Sequence, residues 1–340
     1  MRKRIRTGKE QRKMEKIGSS KVAVQPMSMG TWAIGGGIQW GSSDDVMSEQ
    51  AIRCALEQGI AWIDTAPAYG FGHSEEIVGK AIRENRKDVF LATKCGLQWY
   101  EEKGSLQIRR DGKALYRDLS ASGVRRDLEY SLRRLQTDYL DLYLVHWQSE
   151  AEPFIPIEET MGELLRLKKE GKILGIGVCN VTPEQIREYL KWGKLDVIQQ
   201  KYSMLNRDAE ALLPLCREND IVLQLYSPLE QGLLTDQAAR EITLVPGNTR
   251  YNNVWWKPEN RKQVISMLEG WKDLCSKYEC AISNLVIAWT IARSENFNIL
   301  CGARKPEQVK ENAGGLRVAL DREDIERMTL ESDAVIAGKI

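Results

Sequence analysis

The sequence lacks the features that would connect it to a membrane or a nucleic acid. No apolar stretch approaches the roughly 20 residues that a spanning helix needs, and the basic start leads into polar sequence rather than into the apolar part of a signal peptide. The 49 Lys and Arg residues nearly balance the 48 Asp and Glu residues, for a formal net charge of +1. Because no charge of one sign dominates, we expect neither a nucleic-acid nor a membrane partner. We expect a cytoplasmic protein that acts on a small molecule.

The cysteines are too scattered for a disulfide framework, and the histidines are too few for a zinc site. The seven cysteines are an odd number without paired spacing, which favours a reducing compartment over disulfides. Cys275 and Cys280 have no histidine nearby, and the whole chain contains 2 histidines. This pattern does not fit a zinc site, so we expect no metal.

The start of the chain differs in composition from the rest. Eight Lys or Arg residues fall within residues 1–16. We predict that residues 1–13 form a disordered basic tail, to which no function is assigned. Residues 14–340 are predicted to form a single domain.

From residue 27 onward, short apolar runs alternate with amphipathic helical stretches, a pattern typical of βα units and a parallel sheet. Eight strands are predicted, at residues 27–30, 60–64, 89–94, 139–145, 173–178, 195–198, 221–225 and 298–301. Eight is the number that closes a (β/α)8 TIM barrel, an α/β fold. A doubly wound open sheet is the alternative, with the glycines at 35–37 as its phosphate-binding turn. That run lacks the G-x-G-x-x-G spacing, and Asp64 comes late for a ribose contact, so the barrel is preferred.

Long loops are expected at the active face of this barrel. Residues 95–119 and 232–258 are too long to be simple connections, and together with residues 32–43 we expect them to shape a substrate pocket. For residues 241–258, an interface or a disordered insertion is an equally good interpretation.

Four side chains with useful chemistry fall at the ends of predicted strands. Asp64, Lys94 and His146 close three of them, and Tyr69 lies in the loop after Asp64. A parallel barrel gathers such positions into one cluster. We expect the Lys94 ammonium to lower the pKa of the Tyr69 phenol, while Asp64 keeps the ammonium charged and fixed. We expect His146 to hydrogen-bond to the same developing alkoxide oxygen that receives the Tyr69 proton, so that two donors surround one oxyanion.

These groups together suit a general acid that gives a proton to a carbonyl oxygen. No serine or cysteine nucleophile paired with a base accompanies them. An acid without its own nucleophile needs an external hydride, which predicts a nicotinamide or flavin coenzyme.

The sequence resembles the aldo-keto reductase superfamily over nearly its whole length after residue 14. The branch it is most similar to holds the bacterial inositol- and sugar-linked reductases and the potassium-channel β subunits. The matching motifs come in the family's order and spacing, at residues 16–18, 30–36, 62–70, 74–75, 92–95, 131–143, 146–147, 175–180, 226–229 and 302–304.

The resemblance implies a role for each matching residue. The catalytic tetrad falls on Asp64, Tyr69, Lys94 and His146, with Tyr69 as the general acid. The implied coenzyme contacts are Gly30, Thr31, Trp32, Asp64, Asn180, Gln199, Tyr226, Ser227, Pro228, Leu229, Gly232, Gly302, Arg304, Gln308 and Asn312. The implied substrate contacts are Trp32, Tyr69, Trp99, His146 and Trp147.

Within the coenzyme set, the resemblance places Asn180 and Gln199 on the nicotinamide carboxamide and Tyr226 against the ring. The pyrophosphate falls along residues 227–229 and 232–234, and the adenosine end falls on the group that begins at Gly302. Arg304 offers a planar donor fork suited to a 2′-phosphate, so NADPH (NADP+) is favoured, with NADH as the alternative.

Three departures from the family pattern bear on coenzyme preference more than on chemistry. Cys179 stands where the family commonly has serine, and Gln148 replaces a common proline. Gly302 and Ala303 stand where some branches use a lysine-serine pair.

The sequence thus predicts an NADP(H)-dependent oxidoreductase that reduces an aldehyde, ketone or sugar carbonyl by hydride transfer. Two alternatives stay open. One is a sugar or polyol dehydrogenase that works in the oxidative direction. The other is a regulatory barrel that binds the coenzyme chiefly to sense redox state.

Overall fold

A computed structural model describes residues 17–340. The predicted basic tail, residues 1–13, lies outside the described residues. None of the described helices is both long enough and apolar enough to cross a membrane.

Eight parallel strands close into a barrel, which confirms the predicted (β/α)8 fold over the open sheet. In chain order the strands of the described residues are β1 (Met27–Gly30), β2 (Trp62–Asp64), β3 (Phe90–Cys95), β4 (Leu97–Gln98), β5 (Ser105–Arg110), β6 (Lys113–Arg117), β7 (Leu142–Val145), β8 (Ile176–Cys179), β9 (Val197–Lys201), β10 (Val222–Tyr226) and β11 (Phe297–Gly302). Around the barrel the order is β1-β11-β10-β9-β8-β7-β3-β2, and every neighbouring pair is parallel.

Helices follow most barrel strands. They are α1 (Gly37–Trp40), α2 (Asp45–Glu57), α3 (His73–Ile82), α4 (Ala121–Leu135), α5 (Ile157–Lys169), α6 (Pro183–Trp192), α7 (Leu213–Glu218), α8 (Pro258–Glu269), α9 (Lys272–Tyr278), α10 (Ile282–Arg293), α11 (Pro306–Gly314) and α12 (Arg322–Ala337). Local signals explain where several begin. Helix α6 has a capping box between Thr182 and Gln185 with proline at its first position, and the Asp44 side chain caps α2.

The core has an inner and an outer part. Inside the barrel, Trp62, Phe90 and Leu142 form a cluster with Ile17 and Val24, which precede the first strand. The main-chain N–H of Ser19 donates to the main-chain oxygen of Leu174, just before β8. The segment before β1 therefore covers the N-terminal end of the barrel, and the opposite end remains for chemistry. The larger outer cluster fills the space between strands and helices.

The prediction that residues 95–119 form a loop is wrong. Residues 95–119 contain a three-stranded antiparallel sheet in the order β4-β6-β5 rather than irregular chain. Strands β5 and β6 join through Asp111 and Gly112, which have φ values of 49° and 74°. Positive φ at both central residues is typical of the tight turn that matches strand twist in a hairpin.

The other two predicted segments stay largely irregular. Residues 32–43 hold a short 3-10 turn (Trp32–Gly35) and the four-residue helix α1. The segment after β10 has a 3-10 turn at Val254–Trp256 before α8 begins at Pro258.

Candidate active site

The structure brings the four predicted catalytic side chains together at the C-terminal end of the barrel. Asp64 ends β2, Lys94 is the last residue but one of β3, and His146 follows β7 directly. Tyr69 lies in the loop between β2 and α3. Neighbouring parallel strands end side by side, so these residues meet because their strands do.

Lys94 is the centre of the cluster. Its Nζ donates to Asp64 Oδ1 at 2.6 Å, to the main-chain oxygen of Thr65 at 2.8 Å and to Tyr69 Oη at 3.3 Å. An ammonium group has three donors, and all three are used here. Asp64 and Lys94 are both fully buried, so this ion pair is shielded from solvent.

The expected lowering of the Tyr69 pKa is wrong. Burial raises the pKa of Tyr69 to about 12, outweighing the Lys94 charge, which lowers it. Burial also acts to lower the pKa of Lys94, but the neighbouring Asp64 carboxylate reverses this, and the net shift is upward. The structure therefore holds a protonated phenol that accepts a hydrogen bond from a protonated amine.

His146 and Trp32 enclose the Tyr69 ring. The Tyr69 and His146 rings meet edge to face with centroids 5.8 Å apart, and Trp32 stacks on Tyr69 at 6.1 Å. The pKa of His146 lies well below its usual value because of burial, followed by the charges of Lys94, Arg110 and Arg117. The imidazole is therefore neutral. Among the described residues its Nδ1 is buried and has no hydrogen-bond partner.

The residues implied for the nicotinamide lie in two different environments. Asn180 Nδ2 donates to the main-chain oxygen of His146 at 3.0 Å, and Tyr226 Oη donates to Asn180 Oδ1 at 2.8 Å. Asn180 and Tyr226 are both half-buried at the open end of the barrel. Gln199 instead faces the barrel interior, where its Nε2 donates to Asp64 Oδ2 at 2.8 Å.

The end of β1 supports the site more than it lines it. Thr31 is fully buried, and its hydroxyl donates to the main-chain oxygen of Asp64 at 2.9 Å. Gly30 pairs with Asp64 and with Gly302 in the barrel, which places both glycines at its open end.

The implied pyrophosphate stretch follows β10 directly. Ser227, Pro228 and Leu229 lead into a short turn at Glu230–Gly232. Ser227 has a φ of 61°, a strained conformation for a residue other than glycine, and such strain concentrates at functional sites.

The implied adenosine residues cluster around the start of α11. Arg304 Nη1 donates to the main-chain oxygens of Trp40 at 3.2 Å and Ser42 at 3.0 Å, and the Arg304 N–H donates to Gln308 Oε1. Asn312 Nδ2 donates to the main-chain oxygen of Gly302 at 3.5 Å. One edge of the Arg304 guanidinium is thus anchored, and within residues 17–340 its Nε and Nη2 have no protein partner.

Of the implied substrate contacts, Trp32 contacts Tyr69, whereas Trp99 packs on Phe71 with the ring centroids 5.6 Å apart. Trp147 is next to His146 in sequence and 37% exposed. The sequence interpretation missed Arg110 and Arg117, whose charges reach His146. The Asp111-Gly112 dipeptide was the signal for the hairpin that carries them.

Comparison with known proteins adds a family to this geometry. A model of the aldo/keto reductase family matches residues 26–330. The chain is 47% identical over 322 residues to the NADH-specific methylglyoxal reductase of Escherichia coli (strain K12), with 94% of this chain and 98% of that protein covered. It is 38% identical over 298 residues to the aldo-keto reductase YhdN of Bacillus subtilis (strain 168), with 86% of each covered.

Solved structures agree. The glycerol dehydrogenase AKR11B4 from Gluconobacter oxydans superposes with a TM-score of 0.81 and 31% identity, covering 95% of both chains. An aldo/keto reductase from Klebsiella pneumoniae in complex with NADP and acetate superposes with a TM-score of 0.68 and 26% identity, covering 92% of this chain and 93% of that one.

Proposed function

The chain belongs to the aldo/keto reductase family and is a carbonyl-reducing enzyme that uses a nicotinamide coenzyme; we propose that Tyr69 is its general acid and NADPH its preferred coenzyme. The observation that carries the first proposal is the bond of 3.3 Å from Lys94 Nζ to Tyr69 Oη. It joins the phenol to the fully buried ion pair of Lys94 and Asp64.

The residues present fit the coenzyme. Asn180 and Tyr226 offer an amide and an aromatic face at the open end of the barrel, and Arg304 offers an unpaired donor edge at the N-terminus of α11. A guanidinium edge together with a helix N-terminus suits a phosphate group. The bound coenzyme would supply a hydride to the carbonyl carbon.

The side chains of the buried cluster hold the proton and transfer it to the carbonyl oxygen. Tyr69 keeps its proton at neutral pH because burial raises its pKa to about 12. When negative charge develops on the carbonyl oxygen, the phenol donates its proton there, and the Lys94 ammonium stabilises the phenolate that remains. Asp64 and the Thr65 carbonyl hold the ammonium in place. Neutral His146 borders the same space and limits where the substrate oxygen can lie.

Arg304 supports the preference for NADPH. Among the residues that the structure describes, its anchored guanidinium has no partner at Nε and Nη2, which leaves them for a bidentate contact that a 2′-phosphate would accept and a 2′-hydroxyl would not match as well. The relative from Escherichia coli is named as NADH-specific, so NADH is the competing coenzyme in every assay.

The substitution Tyr69→Phe tests the acid. We expect it to lower kcat for methylglyoxal reduction by at least about 100-fold, since the proton donor is gone. Coenzyme affinity, measured by quenching of tryptophan fluorescence, should stay within threefold. Tyr130→Phe on the outer helix α4 is the matched control. Turnover of the Tyr69→Phe protein at the unsubstituted rate would refute the assignment.

The oxidative direction is a second candidate, favoured by the glycerol dehydrogenase that superposes at a TM-score of 0.81. The same phenol would then act as a base. Comparing kcat/KM for methylglyoxal reduction with that for glycerol oxidation decides between the directions.

We also propose a cytoplasmic location and a small-molecule carbonyl substrate. All seven cysteines are free thiols, as is usual in a reducing compartment.

A further inference from the structure

The hairpin of β5 and β6 places an arginine beside the catalytic tyrosine. Arg110 is the last residue of β5. Its Nη2 donates to the main-chain oxygen of Ala68 at 2.9 Å, and Ala68 directly precedes Tyr69. The Arg110 guanidinium also lies 5.4 Å from the centroid of the Phe71 ring, two residues after Tyr69. Arg110 is therefore fixed to the loop that carries the general acid.

Within residues 17–340 this charge has no anionic partner. No carboxylate lies within ion-pairing distance of Arg110, although the side chain is half-buried. The neighbouring Asp111 is the nearest acid by sequence, but its Oδ1 accepts from the main-chain N–H of Ile38 at 3.3 Å. Burial lowers the pKa of Arg110, and the Asp111 charge only partly opposes this. A partly buried cation without a counter-ion is costly unless something else supplies one.

A second guanidinium strengthens the positive field. Arg117, 8% exposed, donates to the main-chain oxygen of Gln148 and to Gln107 Oε1. Its ion pair with Glu150 spans 3.6 Å, and the Glu150 side chain is 60% exposed to solvent. In the described part of the chain, the Arg117 Nε is buried and has no hydrogen-bond partner.

Both arginine charges reach the reacting region, since both act to lower the pKa of His146. The Lys94 charge there is balanced by Asp64 at 2.6 Å. The nearby Asp118 is engaged by Arg126 at 3.1 Å and Lys103 at 3.7 Å. The His146 side of the pocket therefore carries an excess of positive charge.

We propose that Arg110, aided by the positive charge of Arg117, selects carbonyl substrates that carry a carboxylate or a phosphate group. This inference rests on the proposed function. The guanidinium of Arg110 would bind the anionic group in bidentate fashion while the carbonyl oxygen faces Tyr69. The substrate class is an aldehyde acid, an oxo acid or a phosphorylated aldose.

Matched pairs of substrates test this proposal. D-glucuronate is compared with D-glucose, and D-glyceraldehyde 3-phosphate with D-glyceraldehyde, each with saturating NADPH. We expect the unsubstituted enzyme to have a higher kcat/KM for the anionic member of at least one pair. In Arg110→Gln, the ratio of anionic to neutral kcat/KM should fall at least tenfold, mainly through KM. The pair that responds tells whether the site takes a carboxylate or a phosphate.

Arg109→Gln is the matched control, because Arg109 is the preceding residue of the same strand and its side chain is exposed. Its ratio should stay within twofold. Thermal unfolding of both variants checks that the hairpin folds. An unchanged ratio in Arg110→Gln, or no anionic preference in the unsubstituted enzyme, overturns the anion site while carbonyl reduction stands. Absence of turnover with every carbonyl compound would overturn the proposed function itself.

Discussion

At the scale of single residues, a chain of buried amides fixes the direction in which Gln199 faces. Asn298 Nδ2 donates to the main-chain oxygen of Gln25 at 2.9 Å. Because a carbonyl only accepts, Asn298 must present its Oδ1 to the barrel interior. There it accepts from Ser28 Oγ at 2.6 Å and from Gln224 Nε2 at 3.0 Å.

The same reasoning extends up to the catalytic cluster. Since its nitrogen is engaged, Gln224 presents Oε1 to Gln199 Nε2 at 2.6 Å. That nitrogen also donates to Asp64 Oδ2 at 2.8 Å. A donor aimed at a carboxylate favours its ionised form. Burial raises the pKa of Asp64, and the donors from Lys94 and from Gln199 below it both oppose that rise.

We expect Gln224→Leu to disturb this chain. Gln199 and Ser28 each lose a partner in a dry site, which should lower the free energy of unfolding by about 1–3 kcal/mol. The Gln199 amide becomes free to turn its oxygen toward Asp64, so kcat should fall as well. Urea unfolding and steady-state kinetics measure the two effects. The control is Gln237→Leu, at an exposed side chain; full stability and kcat in Gln224→Leu would contradict the directional chain.

At the scale of elements, helix α4 is tied to the active face through Asp127. Its Oδ2 accepts from the main-chain N–H of Gly96 at 2.9 Å, and its Oδ1 accepts from the Tyr100 hydroxyl. Gly96 directly follows the strand that carries Lys94. Burial raises the pKa of Asp127 to about 7, and the hydrogen bonds from Tyr100 and Gly96 only partly oppose this.

This shift predicts a pH dependence of stability. In the unfolded chain the Asp127 carboxyl loses its proton near pH ~4, and in the folded protein near pH 7. Between these values the folded state binds more protons, so the contribution of Asp127 to stability falls as pH rises. Asp127→Asn removes this titration, while its amide can still accept from Gly96 and donate to the Tyr100 oxygen.

The unfolding free energy of the unsubstituted protein, taken relative to Asp127→Asn, should therefore decrease by about 2.6 kcal/mol from pH 5 to pH 8. Urea unfolding of both proteins across this range measures the difference, in which the titration of all other groups cancels. An unchanging difference would show that Asp127 titrates normally.

Elements also show what the sequence could predict. The barrel strands were predictable because each is a short apolar run and most are followed by a helical pattern. Among the candidate site residues, Asp64, Lys94 and His146 were predictable because they close such runs, and Tyr69 because it lies in the loop after Asp64. The β5–β6 hairpin was not, since Leu106 and Ile108 are exposed and face no core. The pattern of β5 therefore has no burial behind it, and the Asp111-Gly112 turn was the local signal for the hairpin. The inward turn of Gln199 depends on Gln224 and Asn298, which are distant in sequence.

At the scale of the whole molecule, three distant segments meet at Trp40. The main-chain N–H of Thr249 donates to the main-chain oxygen of Gln39 at 3.2 Å. The Arg250 guanidinium lies 5.0 Å from the centroid of the Trp40 ring, and Arg304 Nη1 donates to the Trp40 carbonyl. The long segment after β10 is thereby joined to the first loop of the barrel and to the start of α11.

Two like charges share this junction. The pKa of Arg250 is lowered by burial first and by the Arg304 charge second. Within residues 17–340 neither guanidinium has a carboxylate in ion-pairing distance. Their repulsion destabilises the junction, and a bound phosphate group would relieve it.

Coenzyme binding should therefore stabilise the whole molecule, and Arg304 should decide which coenzyme does so best. At 100 times its Kd, NADPH should raise the free energy of unfolding by about 2.7 kcal/mol. Arg304→Ala should weaken NADPH at least tenfold, which removes about 1.4 kcal/mol of that gain at the same concentration. NADH lacks the 2′-phosphate, so the stabilisation that it gives should change little.

Thermal unfolding with titrated coenzyme measures the stabilisation by NADPH and by NADH, with Arg322→Ala on the exposed face of α12 as the control. Equal weakening of NADPH and NADH by Arg304→Ala would place this guanidinium on a part common to both coenzymes and refute the proposed NADPH preference.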